Sequence, residues 1–190
     1  MYFRKILIGI LIVGVIIGFF IMYNITQTIF KPITAFNNEE AYIYIPSDAD
    51  FRFVRQELTP LLTDSEAFTT LAKKKGYMGR VKGGKYAIRK GMNSNDIVKV
   101  VCWKSELVRI VIPENKTPKE LAKIISNQIE AKESEVYELL TDTINLEAIK
   151  VDNVSVETLL IHGEYTMPWN TSAKEFKTKI ISTSLKSSDK

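Results

Sequence analysis

The chain has 190 residues, of which 45% are hydrophobic and 25% are charged, with a formal net charge of +4. The length allows one ordinary domain or two small ones, and the composition is typical of a folded protein. A single cysteine, Cys102, excludes an internal disulfide, and a single histidine without Cys/His partners excludes a zinc site. We therefore expect no metal and no cofactor.

The N-terminus carries an uncharged segment of eighteen residues from Ile6 to Tyr23, "ILIGILIVGVIIGFFIMY". As an α-helix it would extend roughly 27 Å, close to the thickness of a membrane's hydrocarbon core. Arg4 and Lys5 precede it, so the positive-inside rule predicts a cytoplasmic N-terminus and an extracytoplasmic remainder. We expect residues 1–30 to form a single-pass anchor in the cytoplasmic (inner) membrane.

A cleaved signal peptide is the alternative for this segment. Its apolar region would be shorter, about 7–15 residues, and would end in small residues of the Ala-x-Ala type. The chain instead continues with "NITQTIF", which offers no such pair at the right spacing. The sequence therefore favours an uncleaved anchor.

Charges outside the apolar segment nearly balance. Without Arg4 and Lys5, 24 basic residues stand against 22 acidic ones. The basic isoelectric point is therefore no argument for nucleic acid as a partner, and the run Lys73-Lys74-Lys75 is interpreted as solvated surface.

Residues 31–41 are predicted to be a polar connector, and the folded part is expected to begin at Tyr42. The alternating segment "AYIYIP" predicts a strand. The next segment, "SDADFRFVRQELTPLL", has Ser47 and Asp50 at capping-box spacing, and its apolar residues recur with helical period until Pro60. A strand followed by a short helix is predicted.

Three more elements are predicted before residue 105. A helix begins at "TDSE" and ends at Gly76, with Phe68 and Leu71 facing inward. A glycine-rich turn leads to the strand "KYAIRKG", and "NSNDIVKVVCW" predicts a further helix. The predicted order is strand, helix, helix, strand, helix.

A strand-then-helix unit is then used a second time. The segment "IVIPENKTPKELAKIISNQI" aligns without gaps to "IYIPSDADFRFVRQELTPLL", so that Ile110 falls on Ile43. Thr117, Pro118 and Glu120 give its helix a cap, a first-turn proline and a capping-box glutamate. Two copies fall short of the three or more that a repeat array needs.

The last part of the chain is predicted to be mostly helical. A helix is expected from Glu133 to Leu146, and "VDNVSVETLLI" is expected to be a connector. The segment "SAKEFKTKIISTSL" has Ser172 and Glu175 at capping-box spacing. It reads as a first helix that has lost its expected packing partner.

These segments, taken in order, resemble the N-terminal half of the MltG/YceG-like endolytic murein transglycosylases. The series is the apolar helix, the strand-helix-helix-strand module, "IPEN-T-ELA" and "Y-x-x-x-W-N-T-S-A-x-x-F". Within residues 42–104, "F-x-x-L-A-x-x-K-G-Y" and "G-G-K-Y-x-I-x-x-G-M-x-x-N-D-I-V" are similar to the LysM-like domain of that family. The resemblance implies an α+β fold with a transmembrane helix, a LysM-like β-α-α-β module and a partial YceG-like region at 105–190.

The resemblance also implies an enzyme that cuts peptidoglycan glycan strands near the membrane. One carboxylic acid protonates the glycosidic oxygen and then accepts a proton from the muramyl 6-hydroxyl, which closes on the anomeric carbon to leave a 1,6-anhydro end. The family's glutamate lies downstream of the "WNTS" stretch, and no residue here matches it.

We therefore expect a membrane-anchored, peptidoglycan-associated protein that resembles a truncated transglycosylase and is non-catalytic. An active lytic transglycosylase that needs a separate C-terminal part is one alternative. A scaffold that docks on cell-wall synthesis proteins is the other. The expected partners are glycan strands and the inner membrane, with no nucleic acid.

Glu164 is a candidate replacement acid. It stands beside His162, but an acid must be held in a cleft to act. Tyr165 and Trp169 are candidates for a sugar platform, because flat aromatic faces suit pyranose rings. The alternative for both aromatic residues is packing against the last helix.

The LysM-like resemblance implies a ligand groove between residues 47–51 and the loop 76–84. Tyr77, Arg80 and Lys82 line that loop as glycan-binding candidates for sugar hydroxyls and peptide carboxylates. The alternative is that they are ordinary turn residues.

Overall fold

The structure is a computed structural model that describes residues 2–146, 151–155 and 163–188. The chain contains both helices and small antiparallel sheets, as expected of an α+β protein. In order they are α1 (Tyr2–Phe30), β1 (Glu40–Ile45), α2 (Phe51–Leu58), α3 (Ser65–Lys74), β2 (Gly84–Arg89), α4 (Ser94–Trp103), β3 (Leu107–Ile112), α5 (Pro118–Ser126), α6 (Glu133–Thr141), β4 (Thr143–Leu146), β5 (Val151–Ser155), β6 (Gly163–Pro168) and α7 (Ala173–Ser188). Short 3-10 turns occupy Thr59–Leu61 and Tyr77–Gly79.

The first helix confirms the predicted long apolar segment. Its stretch Ile6–Gln27 covers 22 residues with a mean hydropathy of 2.9, and none of its most apolar window is buried inside the protein. The helix is therefore long and apolar enough to cross a membrane. Asn24 and Thr26 donate their side-chain hydrogen bonds to carbonyls one turn earlier, each at 2.8 Å, which satisfies these polar groups within the helix.

The chain forms two compact units. Unit 1 contains Met1–Ile43, Asp50–Val81 and Ala87–Lys104, and unit 2 contains Tyr44–Ala49, Lys82–Tyr86 and Ser105–Lys190. Strands β1 and β2 pair in a two-stranded sheet.

Side-chain caps fix where the helices of unit 1 begin. Asp50 is the N-cap of α2 and accepts the N–H of Phe53 at 3.0 Å, so the predicted Ser47–Asp50 capping box is wrong. Asp64 caps α3 and Asn93 caps α4 in the same way. The predicted helices are confirmed, and their apolar faces supply the buried residues Val54, Leu58, Phe68, Leu71, Ile97 and Val101.

The predicted connector at residues 31–41 is part of the folded core instead. Ile33 is 3% exposed, and its N–H donates to the carbonyl of Met92 at 3.0 Å. Its own carbonyl accepts the N–H of Thr63 at 2.7 Å. The folded part that follows α1 therefore begins before Tyr42, because Ile33 in the polar segment is buried in the core of unit 1.

Unit 2 is built on the antiparallel pair of β3 and β6, in which Ile110 lies opposite Tyr165. Alternate residues of both strands face α5, α6 and α7, and form one core with them. Thr117 and Glu120 make the predicted capping box at the start of α5. The second strand-then-helix unit is confirmed, and Ile43 and Ile110 are both buried.

Two predictions for the last part of the chain are wrong, and one strand was missed. Helix α6 ends at Thr141, because the β-branched Thr143 and Ile144 continue as strand β4. The expected connector contains β5, which pairs with β4, and the segment Gly163–Pro168 is a strand that was not predicted. His162 lies outside the described residues.

The last helix has the packing partner that was expected to be missing. Phe176 and Ile180 of α7 are fully buried in the core of unit 2. Helix α7 contacts α6, and its first residues follow β6 directly. The described part of unit 2 therefore closes its own core around this helix.

We predict that Ile33→Ala will destabilise the full chain by about 2–5 kcal/mol, because a cavity would replace a core side chain. Urea unfolding in detergent, followed by tryptophan fluorescence, measures the change. Asn38→Ala, at an exposed position of the same segment, should change stability by less than about 0.5 kcal/mol. Equal unfolding midpoints for the two variants would mean that residues 31–41 are a connector after all.

Candidate functional site

The turn from β6 into α7 is held in one shape by its own side chains. Thr171 is buried, and both its N–H and its hydroxyl donate to the carbonyl of Pro168, at 3.2 and 2.6 Å. Ser172 and Glu175 then form a reciprocal capping box at the start of α7. The residues between these anchors, Trp169 and Asn170, are therefore presented at a fixed place on unit 2.

Two aromatic rings meet at the surface of this turn. Trp169 and Tyr44 lie edge to face, with ring centroids 5.2 Å apart and an angle of 60° between the rings. Trp169 is half-buried, and Tyr44 is 42% exposed. The pair offers flat apolar surface to a ligand.

Polar groups surround the aromatic pair. The carboxylate of Glu130 accepts the N–H of Ser47 at 2.7 Å and the Ser47 hydroxyl at 2.6 Å. Asn170 Nδ2 lies 3.4 Å from Ser47 Oγ. The backbone N–H of Glu130 donates to the Trp169 carbonyl at 2.8 Å. Segments far apart in sequence are thereby joined around the rings.

We call this cluster the Trp169 site; its members are Tyr44, Ser47, Glu130, Trp169 and Asn170. A groove of about 330 Å³ adjoins it at Asn170. The groove is lined by apolar and polar side chains that include Leu107, Thr166, Asn170, Thr171, Glu175 and Lys179. Hydroxyl, amide, ammonium and carboxylate groups beside apolar surface can bind a ligand rich in hydroxyl groups.

Gly83 is required by the packing behind the site. A Cβ at this position would lie 2.9 Å from Ser47 Cα and 3.2 Å from Asn170 Nδ2. The two loops implied as the walls of a LysM-like groove therefore touch backbone to backbone at Ser47 and Gly83, which leaves no space for a sugar between those two positions.

The two aromatic candidates of the "YTMPWN" stretch have different places. Tyr165 is 5% exposed and packs on Phe176 of α7, with ring centroids 6.3 Å apart. Packing against the last helix is therefore the interpretation that fits Tyr165, and its ring has no open face for a sugar. Trp169 instead packs on Tyr44 and keeps part of its surface exposed.

The three candidates of the loop 76–84, Tyr77, Arg80 and Lys82, also lie in different environments. Tyr77 is 0% exposed and packs edge-on against Phe51 in unit 1, so a glycan-binding role for its ring does not fit this placement. The Arg80 guanidinium donates to the carbonyls of Lys75 and Gly76, at 2.9 and 3.2 Å. Lys82 is exposed in unit 2.

Glu164 lies on the exposed face of the β3–β6 pair and forms an ion pair with Arg109. An exposed carboxylate on an open two-stranded surface lacks the enclosed geometry that general-acid catalysis needs. The structure gives no support to a replacement acid at this position.

Three members of the Trp169 site were not found from the sequence: Tyr44, Glu130 and Asn170. Ser47 was included only as the first residue of the implied groove wall 47–51. The alternation in "AYIYIP" carried a signal for Tyr44, because buried isoleucines at 43 and 45 send the tyrosines outward. The Ser47–Glu130 contact spans 83 residues. No local pattern marks such a pair.

Comparison with known proteins gives one family. The model of the YceG-like family matches residues 43–190. A YceG-like protein from Listeria monocytogenes, known from a crystal structure, aligns at 19% identity and a TM-score of 0.36 over 78% of this chain and 55% of its own. The chain thus spans about half the length of that protein. No curated protein matches.

We predict that Gly83→Ala will disrupt the Trp169 site, because the added Cβ would overlap the Ser47 backbone, which cannot move aside as a flexible side chain would. Gly79→Ala is the matched control, since a Cβ there meets nothing within 4 Å. Heteronuclear NMR of the full chain should show shifts at Ser47 and Asn170 in the first variant only. Unchanged resonances in Gly83→Ala would contradict the close approach.

The capping box of α7 predicts a pH dependence. The backbone N–H of Ser172, and then its hydroxyl, lower the pKa of Glu175 below its ordinary 4.5. Because the folded pKa is lowered, the box stabilises the fold above the ordinary pKa, and the contribution is lost as pH falls through the folded pKa.

Ser172→Ala should therefore raise the pKa of Glu175 part of the way back, since the backbone N–H remains. It should also destabilise the chain at neutral pH by roughly 0.5–2 kcal/mol, and by less below pH ~4. An NMR titration of the Glu175 carboxyl carbon measures the pKa. Equal titration midpoints of Glu175 in the wild type and in Ser172→Ala would refute the contribution of the Ser172 hydroxyl to the lowered pKa.

Proposed function

Because the chain belongs to the YceG-like family, we propose that it works on the cell wall and binds peptidoglycan glycan strands at the Trp169 site. The observation that carries this proposal is the partly exposed Trp169–Tyr44 pair beside a groove lined by apolar and polar side chains. It lies on the "WNTS" turn, within the residues that match the family. Membership of the YceG-like family supports, more generally, a role related to that of murein transglycosylases.

The groups at the site suit the chemistry of the glycan. Sugar C–H faces pack on aromatic rings, and hydroxyl and acetamido groups exchange hydrogen bonds with amide and hydroxyl side chains such as Asn170 and Thr166. Lys179, at the groove, is placed to attract the carboxylates that muramyl residues and their peptides carry. Each contact is weak, so affinity depends on their fixed arrangement.

Binding rather than bond cleavage is the role proposed for these residues. The carboxylate of Glu130 is occupied by Ser47, that of Glu164 by Arg109, and that of Glu175 by Ser172. A general acid must instead be free to reach the glycosidic oxygen inside a cleft. An active lytic transglycosylase remains the second function, because family membership favours it.

We further propose that α1 anchors the chain in the inner membrane, with Arg4 on the cytoplasmic side and the chain after Lys31 outside. The length and hydropathy of α1 support the anchor, and the positive-inside rule supports the direction. Within unit 1, Ile33 of the segment 31–41 exchanges backbone hydrogen bonds with Met92 and Thr63, so the chain that follows α1 is held to the rest of the unit.

The division into a LysM-like module at 42–104 and a YceG-like region at 105–190 is also a proposal. The order β1, α2, α3, β2 and the pairing of the two strands support the module. Of the loop candidates, exposed Lys82 is the one proposed to meet glycan or peptide groups. Docking on cell-wall synthesis proteins stays an alternative role.

Co-sedimentation with insoluble peptidoglycan tests the function. The full chain in detergent should pellet with the polymer, and Trp169→Ala should weaken binding by about tenfold, because it removes the main apolar contact. Tyr137→Ala removes another exposed aromatic ring of unit 2, on α6, and should leave binding unchanged.

Equal pelleting of the wild type and Trp169→Ala would contradict the Trp169 site. Soluble products with 1,6-anhydro-muramyl ends, released by the wild-type chain alone, would show that the second function is the correct one.

A further inference from the structure

A second cavity lies within unit 1, beside the end of the apolar helix. It encloses about 400 Å³. Its lining includes Asn24 and Ile25 from α1, Ala67, Leu71 and Lys74 from α3, and Ser94 from α4. Asn24 and Ile25 belong to the last turn of the segment Ile6–Gln27, which is apolar enough to cross a membrane. If α1 spans a bilayer, this cavity is at the level of the lipid headgroups.

Lys74, at one end of the cavity, belongs to a group of basic residues. Helix α3 ends in Lys73 and Lys74, and Lys75 follows as its C-cap. Arg80 folds back on the same place, since its guanidinium reaches the carbonyls of Lys75 and Gly76. We call Lys73, Lys74, Lys75 and Arg80 the basic cluster, and all four are exposed.

The guanidinium of Arg80 has a specific electrostatic effect. The C-terminal carbonyls of a helix carry partial negative charge, which would repel an anion. Two hydrogen bonds from Arg80 satisfy the carbonyls of Lys75 and Gly76, which directly follow the last turn of α3. These two carbonyls are thereby turned to Arg80 rather than left free beside an anion.

The N-terminus of α4 adds a second positive element. Lys75 Nζ donates to Asn95 Oδ1 at 2.6 Å, which ties the end of α3 to the first turn of α4. The N–H groups of that turn carry partial positive charge and suit an anionic ligand.

Ser94 gives an independent indication of a ligand. It is 1% exposed and lines the cavity, and its hydroxyl has no hydrogen-bond partner among the residues that the structure describes. Buried hydroxyls normally have a partner. A polar group bound in the cavity would supply it.

Acidic residues near the cavity do not cancel this charge. Asp64 caps α3, and Glu66 forms an ion pair with Arg55. Both line the cavity, but at the opposite end of α3 from Lys74, about 12–15 Å away along the helix axis. Asp96, in the first turn of α4, is the acidic residue of that helix end. Its single negative charge is opposed by the four positive charges of the basic cluster and by the partial positive charge at the N-terminus of α4.

We propose that the basic cluster and Ser94 bind the phosphate of an anionic phospholipid headgroup at the surface of the membrane that α1 spans. Ile25, Ala67 and Leu71 contact the first carbons of the lipid. The proposal rests on the anchoring proposed above, and it gives the Lys73-Lys74-Lys75 run a role beyond solvated surface.

Native mass spectrometry of the full chain tests this proposal, in neutral detergent with equal amounts of phosphatidylglycerol and phosphatidylcholine. The wild type should retain phosphatidylglycerol preferentially. The double variant Lys73→Gln/Lys74→Gln should lose about tenfold or more of that preference, since a lysine near anionic lipid contributes about fivefold in affinity. The control Lys119→Gln/Lys123→Gln removes the same charge from exposed positions of α5 and should keep the preference.

Three results would overturn the proposal: no preference in the wild type, an unchanged preference in Lys73→Gln/Lys74→Gln, or displacement of the lipid by excess inorganic phosphate, which would make this a free-phosphate site. Carbonate extraction of membranes tests the anchor separately. A chain released by carbonate would refute the anchoring, whereas lipid selectivity in detergent is read from the spectra either way.

Discussion

The carboxylate of Glu130 is the constraint on which the Trp169 site depends. It accepts two hydrogen bonds from Ser47, while the backbone N–H of Glu130 donates to the carbonyl of Trp169. Charge-assisted bonds of this kind are about twice as strong as neutral ones. Glu130, in the loop after α5, therefore holds two segments: Ser47, just after β1, and the turn that carries Trp169. These bonds keep Tyr44 and Trp169 in contact.

This arrangement explains how a small surface site can recognise a flexible polymer. Weak contacts give useful affinity only where the protein has little freedom left to lose on binding. Gly83 permits the close approach behind the site, and Thr171 closes the turn. At the other end of the chain, Ile33 holds the segment that follows α1 in the core of unit 1. A few local contacts thus fix the proposed glycan site at one end of the chain and the segment after the proposed membrane helix at the other.

Much of this fold follows from local sequence signals. The apolar length of α1, the capping box at Thr117 and the period of the short helices each act over a few residues, and each predicted its element. Strand β6 was missed because its partner β3 is about fifty residues away, and the contact of Ser47 with Glu130 is equally non-local. The site was recognised in part, through Trp169, because the rest of it exists only after unit 2 has folded.

The two tryptophans of the chain allow the most direct measurement. Trp169 belongs to the proposed glycan site, whereas Trp103 lies exposed at the end of α4 and serves as an internal control. The ¹⁵N-labelled full chain in micelles can be titrated with soluble peptidoglycan glycan strands while both indole N–H resonances are followed. Our account predicts a saturable shift of Trp169 and none of Trp103. A stationary Trp169 at saturating glycan, or a shift of Trp103 in its place, would contradict it.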